Sequence, residues 1–123
     1  MKLRIKGNTL RLRLTKSELE YFEKKHFIEE RIEFAGSIFR YSLQADNNVF
    51  LSATLENNSL IVRMPFPMAK EWTSTQIVGF RSEMKIADNK NLFILVEKDF
   101  KCLDETNEDQ SDNYENPLSS IHP

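Results

Sequence analysis

Apolar and polar residues alternate along most of this chain, and turn signals interrupt the alternation often enough to predict eight short strands. Leu3 and Ile5 alternate with Lys2, Arg4 and Lys6. Gly7-Asn8 then turns the chain, and Leu10, Leu12 and Leu14 alternate with Arg11 and Arg13. Gly and Asn tolerate the positive φ of a two-residue loop, so this stretch reads as a β-hairpin. Thr15 followed by Glu18 is a capping-box pattern, in which each side chain satisfies a backbone N–H at a helix start. The helix predicted there buries Leu19, Phe22 and Tyr21, with Glu20 and Lys24 as an i, i+4 pair on its wet side.

Phe27 to Phe34 and Ile38 to Leu43 alternate on either side of Ala35-Gly36-Ser37, a second hairpin. After Asp46-Asn47-Asn48 a third hairpin is predicted over 49–64, turning at Asn57-Asn58. Pro65 and Pro67 suit an extended entry and a first helical turn, where their missing donors cost least. A short helix carrying Met68, Ala69 and Trp72 follows. Phe80 to Ile86 and Leu92 to Glu97 complete a fourth hairpin around Asp88-Asn89-Lys90-Asn91.

The stretch Lys6 to Thr15 returns fifty positions later as Glu56 to Pro65. Asn8, Leu10 and Arg13 recur as Asn58, Leu60 and Arg63, while Thr9, Leu12 and Leu14 become Ser59, Val62 and Met64. Trp72 aligns with Phe22, and Ile77-Val78 with Phe27-Ile28. The element order is then ββαββ twice, with repeat halves of about 1–46 and 47–98. The predicted fold class is α+β, a duplicated ββαββ unit forming a pseudo-twofold antiparallel β-barrel or sandwich with two short helices. Strands that do not close would leave edges that invite homodimerisation.

A chain of 123 residues with 40% hydrophobic and 29% charged residues fits one globular domain over 1–98, large enough to fold without disulfides or metal. Cys102 is the only cysteine, and the opening residues alternate charge where a signal peptide needs an unbroken apolar run. Both features point to the cytoplasm. No apolar run is long enough to cross a membrane. The net charge of −2 conceals an asymmetry: six bases and no acid in residues 1–16, against seven acids and only Lys101 in residues 99–123. Residues 99–123 read as an acidic, largely irregular tail.

Met1-Lys2-Leu3-Arg4-Ile5-Lys6-Gly7-Asn8 with Leu10-Arg11-Leu12 opens the chain. Val96-Glu97-Lys98-Asp99-Phe100-Lys101-Cys102-Leu103, then Glu108-Asp109-Gln110-Ser111-Asp112 and Asn116-Pro117, closes it. These ends resemble a family of short uncharacterised bacterial proteins. The resemblance implies a bacterial cytoplasmic origin and a tail native to the protein. It carries no assigned activity, so it implies no catalytic residue and no cofactor.

Lys2, Arg4, Lys6, Arg11 and Arg13 project to one side of the first hairpin, and like charges at cross-strand distance repel. A small phosphorylated or other anionic ligand would relieve that repulsion, because guanidinium forks match phosphate oxygens. A solvated face balanced by Glu29, Glu33 or the helix acids would also relieve it. Nucleic acid is disfavoured by the pI of about 5.7 and by the lack of aromatics within the basic run. The Glu-x-Glu-x-Lys signature of triphosphate-binding tunnels is missing.

In the tail, Asp104, Glu108, Asp112 and Glu115 have a spacing that superficially suits calcium, but Asp109 stands where the loop needs glycine. The opposite charges of head and tail raise a further arrangement, in which the tail folds back onto the basic hairpin. Cys102 and two scattered histidines lack ligand spacing. The expected function is a non-enzymatic small binding or interaction module with a protein partner or small anionic ligand and no cofactor. The alternative is an enzyme or binder acting on a phosphorylated molecule at the Lys/Arg-rich face.

Overall fold

The computed structural model describes residues 1–100. The elements run β1 (Lys2–Lys6), β2 (Thr9–Leu14), α1 (Lys16–Lys25), β3 (Phe27–Phe34), β4 (Ser37–Asp46), β5 (Ser52–Glu56), β6 (Ser59–Pro65), α2 (Phe66–Ser74), β7 (Gly79–Ala87) and β8 (Lys90–Lys98). Each β-hairpin turns through residues of positive φ: Gly7, Gly36, Asn57 with Asn58, and Asn89. The capping box at α1 is complete, with Glu18 N–H donating to Thr15 Oγ1 and Thr15 N–H to Glu18 Oε1 at 2.8 Å. α1 buries Phe22 against the core, leaves Leu19 half-buried and exposes Tyr21, which the periodicity had placed inside.

Two four-stranded sheets enclose one core, in the orders β1-β2-β8-β7 and β3-β4-β6-β5. They do not close into a barrel, and they are not wholly antiparallel. The central pairs, β2 with β8 and β4 with β6, are parallel. Short turns force antiparallel pairing within each hairpin, but each sheet joins hairpins from different halves of the chain. β2 and β8 both run toward the helices, so they meet parallel.

Exchanging the first hairpin with the third, and the second with the fourth, converts one sheet order into the other. The registers follow the same exchange. Leu3 faces Leu12 as Ala53 faces Val62, and Leu12 faces Val96 as Val62 faces Leu43. Leu10, Leu12 and Leu14, with Leu60, Val62 and Met64, are all buried in the shared core. The expected match of Ile77-Val78 to Phe27-Ile28 is corrected by two residues. Ile28 pairs with Leu43 and Phe80 with Val96, so Phe80 takes the place of Ile28. The extra length lies after α2, where Val78 O accepts Trp72 Nε1–H at 2.9 Å and Lys98 N–H at 2.8 Å.

The third hairpin also starts later than its alternation predicts. Asp46 Oδ1 accepts the Asn48 N–H at 3.1 Å, and Asn48 donates from its amide to Arg63 O. This turn holds residues 47–51 out of the sheet, with Val49 90% exposed and only Leu51 buried.

Polar links tie the two sheets together at two places. Ser82 Oγ donates to Leu51 O at 2.6 Å. On the other side Met1 is buried, its carbonyl accepts Tyr41 Oη–H at 2.9 Å, and its ammonium contacts Glu18 and, at 2.6 Å, Glu30. Burial opposes the ammonium charge, but the hydrogen bonds and charges of Glu18 and Glu30 outweigh it and raise the pKa above 8.0. Burial likewise pushes Glu18 up, yet the ammonium and the Thr15 hydrogen bonds bring its pKa below the ordinary value. Tyr41 is raised by burial and by the negative charge of Glu30. Among the described residues no helix is long and apolar enough to cross a membrane.

Candidate functional site

The five basic residues of the first hairpin point away from the core, because Leu10, Leu12 and Leu14 occupy the inner side of β2. They lie on the outer face of the sheet β1-β2-β8-β7, in rows fixed by the registers. One row reads Lys2, Arg13, Glu97, Gly79; the next Arg4, Arg11, Leu95, Arg81; the third Lys6, Thr9, Phe93, Glu83. The acid beside the arginines is therefore Glu97 of β8, not the expected Glu29, Glu33 or helix acids. Glu97 Oε1 stands 3.1 Å from Arg11 Nε and 3.6 Å from Arg13 Nε. Arg11 Nε and Glu97 Oε1 are buried without a well-aligned hydrogen bond, so their contact is mainly electrostatic. Lys2 Nζ pairs with Asp99 at 3.2 Å.

Glu29 instead pairs with Arg40 on the other sheet, at 3.2 Å. Arg63, which corresponds to Arg13, donates to Thr54 at 2.7 Å and contacts Asp46 and Glu56. Both recurring arginines thus balance acids on the outside of a sheet. Among the described residues Arg4, Lys6 and Arg81 take part in no ion pair.

Two recesses adjoin on this face and share Thr9. One, of about 200 Å³, is lined by Arg4, Lys6, Thr9 and Arg11. The other, of about 440 Å³, includes Arg81, Phe93 and Leu95. The basic run has no aromatic neighbour in sequence, but β8 supplies Phe93, 39% exposed, from more than eighty residues away.

A third site was not legible in the residue pattern. α1 and α2 flank a cavity of about 400 Å³ whose inner wall is Phe22, Ala45 and Ala69, all buried. Ala45 and Ala69 present only methyl groups among larger neighbours, which is why the wall recedes there. α1 ends with His26 in the left-handed region, φ 61°, its N–H donating to Phe22 O at 2.7 Å and its carbonyl accepting Ala45 N–H at 2.9 Å. That conformation turns the imidazole toward Phe66, with ring centroids 5.4 Å apart. His26, Glu23 and Lys70 supply the polar rim. Thr73 and Ser74 donate their hydroxyls back to Ala69 O and Lys70 O, so they offer a ligand chiefly acceptor lone pairs. The one sequence signal was a histidine where a helix end commonly carries glycine.

The calcium-like positions Asp104, Glu108, Asp112 and Glu115, and Cys102, lie outside the described residues. Among the described residues no three His, Cys, Asp or Glu side chains are grouped to hold a metal ion.

No curated protein sequence and no solved structure matches this chain. Residues 1–118 match the family described as Family of unknown function (DUF7009), which takes in all described elements and most of the tail. The chain belongs to that family.

Proposed function

We propose that this chain is a non-enzymatic binding module whose ligand sits between α1 and α2. The observation that carries this reading is the cavity of about 400 Å³ with an apolar wall and three convergent polar side chains. Cavities of that size and lining are the usual form of small-molecule sites. The apolar wall calls for a small, mainly apolar molecule. The mixed signs of Glu23, Lys70 and His26 call for one polar end rather than a high charge.

Thermal unfolding with octanoic acid, octanol and benzoate tests it. One of these probes is expected to raise the midpoint saturably, with no such rise in Ala69→Phe, where the new ring fills the space. His26→Asn, which keeps a residue tolerant of the left-handed conformation, weakens a probe held by the imidazole. Absence of any shift, or an equal shift in Ala69→Phe, overturns the reading.

A second reading, an anionic ligand at Arg4, Lys6 and Arg11, is favoured by the 200 Å³ recess that these residues line. Pyrophosphate would then stabilise the protein saturably, and salt would weaken the effect without erasing it. The edge strands β1, β3, β5 and β7 of the unclosed sheets support self-association, which size-exclusion chromatography over a concentration series would reveal. The parallel registers of the two sheets support descent from a duplicated unit. The single cysteine and the family resemblance support a bacterial cytoplasmic setting.

A further inference from the structure

The outer face of the sheet β1-β2-β8-β7 is unusual for a solvated sheet face. Phe93 and Leu95 sit at its middle, on a central strand, and Arg4, Lys6, Arg11 and Arg81 surround them. The acids on the same face are Glu83 and Glu97, and Glu97 is shared between Arg11 and Arg13. The face therefore combines an apolar centre with an excess of positive charge.

The chain leaves the described region at the border of this face. Asp99 N–H donates to Leu14 O at 2.8 Å, which continues the β2–β8 seam, and the Asp99 carboxylate pairs with Lys2 at 3.2 Å. Residues 101–123 follow. They carry Asp104, Glu105, Glu108, Asp109, Asp112 and Glu115 against Lys101, with Tyr114 set among the acids and Leu103 just ahead of them. Four strands side by side span only about 15–20 Å, whereas a segment of that length can extend to roughly 70 Å. Reach is ample.

We propose that the acidic segment Asp104 to Glu115 docks on the outer face of the sheet β1-β2-β8-β7, its carboxylates against Arg4, Lys6, Arg11 and Arg81 and an apolar side chain against Phe93 and Leu95. The occupant is the chain itself because the point of departure, the sign of the charge and the single aromatic residue Tyr114 all match one surface. The first acid beyond the sheet, Asp99, already makes the kind of contact that the rest would extend. This inference is independent of the cavity between the helices, which lies on other elements.

The test uses the full chain. A spin label is placed on the thiol of a Cys102→Ser/Asn113→Cys variant, and relaxation enhancement is read on the backbone amides of the isotope-labelled protein. Amides of Arg11, Arg81 and Phe93 are expected to be broadened severalfold more than those of α1, and the effect should fall as salt is raised. Arg4→Glu combined with Arg81→Glu, both at solvent-facing positions, should abolish the broadening while circular dichroism stays unchanged. Uniform weak broadening, or broadening centred on α1 and α2, overturns the proposal. So does broadening of equal strength when the spin label and the isotopes are on different molecules in a mixed sample, because the occupant is then a second copy.

Discussion

The indole of Trp72 stands edge-on to the ring of Phe22, with centroids 6.1 Å apart and planes at 62°. Each ring is the largest buried side chain of its helix, and each is 1% exposed or less. This contact couples the two helices within the core. Truncating either ring to alanine should cost about 3–5 kcal/mol. A double-mutant cycle in urea should return a coupling of about 0.5–1.5 kcal/mol. Additive losses would show that the rings bury area without interacting. Trp72→Phe tests a separate element, because it also removes the donor to Val78 O.

The N-terminal ammonium gives stability a signature in pH. Its folded pKa is raised, so its contribution is complete below the ordinary value of 8.0 and is lost as pH rises through the folded value. Glu18 has the opposite sign. Its folded pKa is lowered, so its contribution is present above 4.5 and is lost as pH falls through the folded value. Urea midpoints across both ranges should therefore decline at each end. Glu30→Gln should flatten the alkaline decline, and acetylating the amine should remove it. A tag fused ahead of Met1 should lower the midpoint more than one fused at the other terminus.

Gly79 faces Glu97 across β7 and β8, and a Cβ there would lie 2.1 Å from Val96 O and 2.8 Å from Glu97 Cα. Backbone has no rotamer with which to retreat. Gly79→Ala should cost about 1–3 kcal/mol by forcing the strands apart. At Gly36, φ +88°, nothing lies within 4 Å of the new atom, so Gly36→Ala measures conformational strain alone. That change should cost on the order of 1 kcal/mol. Equal losses at the two sites would argue against steric pressure at the β7–β8 edge.

Glu97 holds Arg11 and Arg13 at once. Glu97→Gln leaves Arg11 and Arg13 side by side on β2 without their shared carboxylate and should cost about 0.5–1 kcal/mol at low salt, shrinking as salt is added. Thermal midpoints at two ionic strengths would check it, and a loss insensitive to salt would point to packing instead.

Much of the fold was written locally. Thr15 and Glu18 announce α1, the Gly and Asn pairs announce the turns, and the alternation in Thr9–Leu14 and Ser59–Pro65 picks out the buried leucines, Val62 and Met64. What local pattern could not carry was the meeting of distant segments. Nothing near Arg11 shows that Leu95 will lie beside it, or that Glu97 will pair with it. The parallel seams, the Phe93 recess and the cavity of Phe22, Ala45 and Ala69 all arise from such meetings. Met1 was opaque for a different reason: a terminal charge has no side-chain pattern, and only the folded arrangement brings Glu18 and Glu30 to it.

The seam between β2 and β8 has a kinetic consequence. Thr9 meets Phe93 and Leu14 meets Lys98, so the first sheet is closed by the last strand and no hairpin can finish it early. Contacts of such long sequence separation slow folding, because a large loop must be ordered before they reward it. During synthesis the inner edge of β2 must wait unpaired until β8 emerges, while the second sheet, whose members all lie between Phe27 and Pro65, can assemble ahead of it.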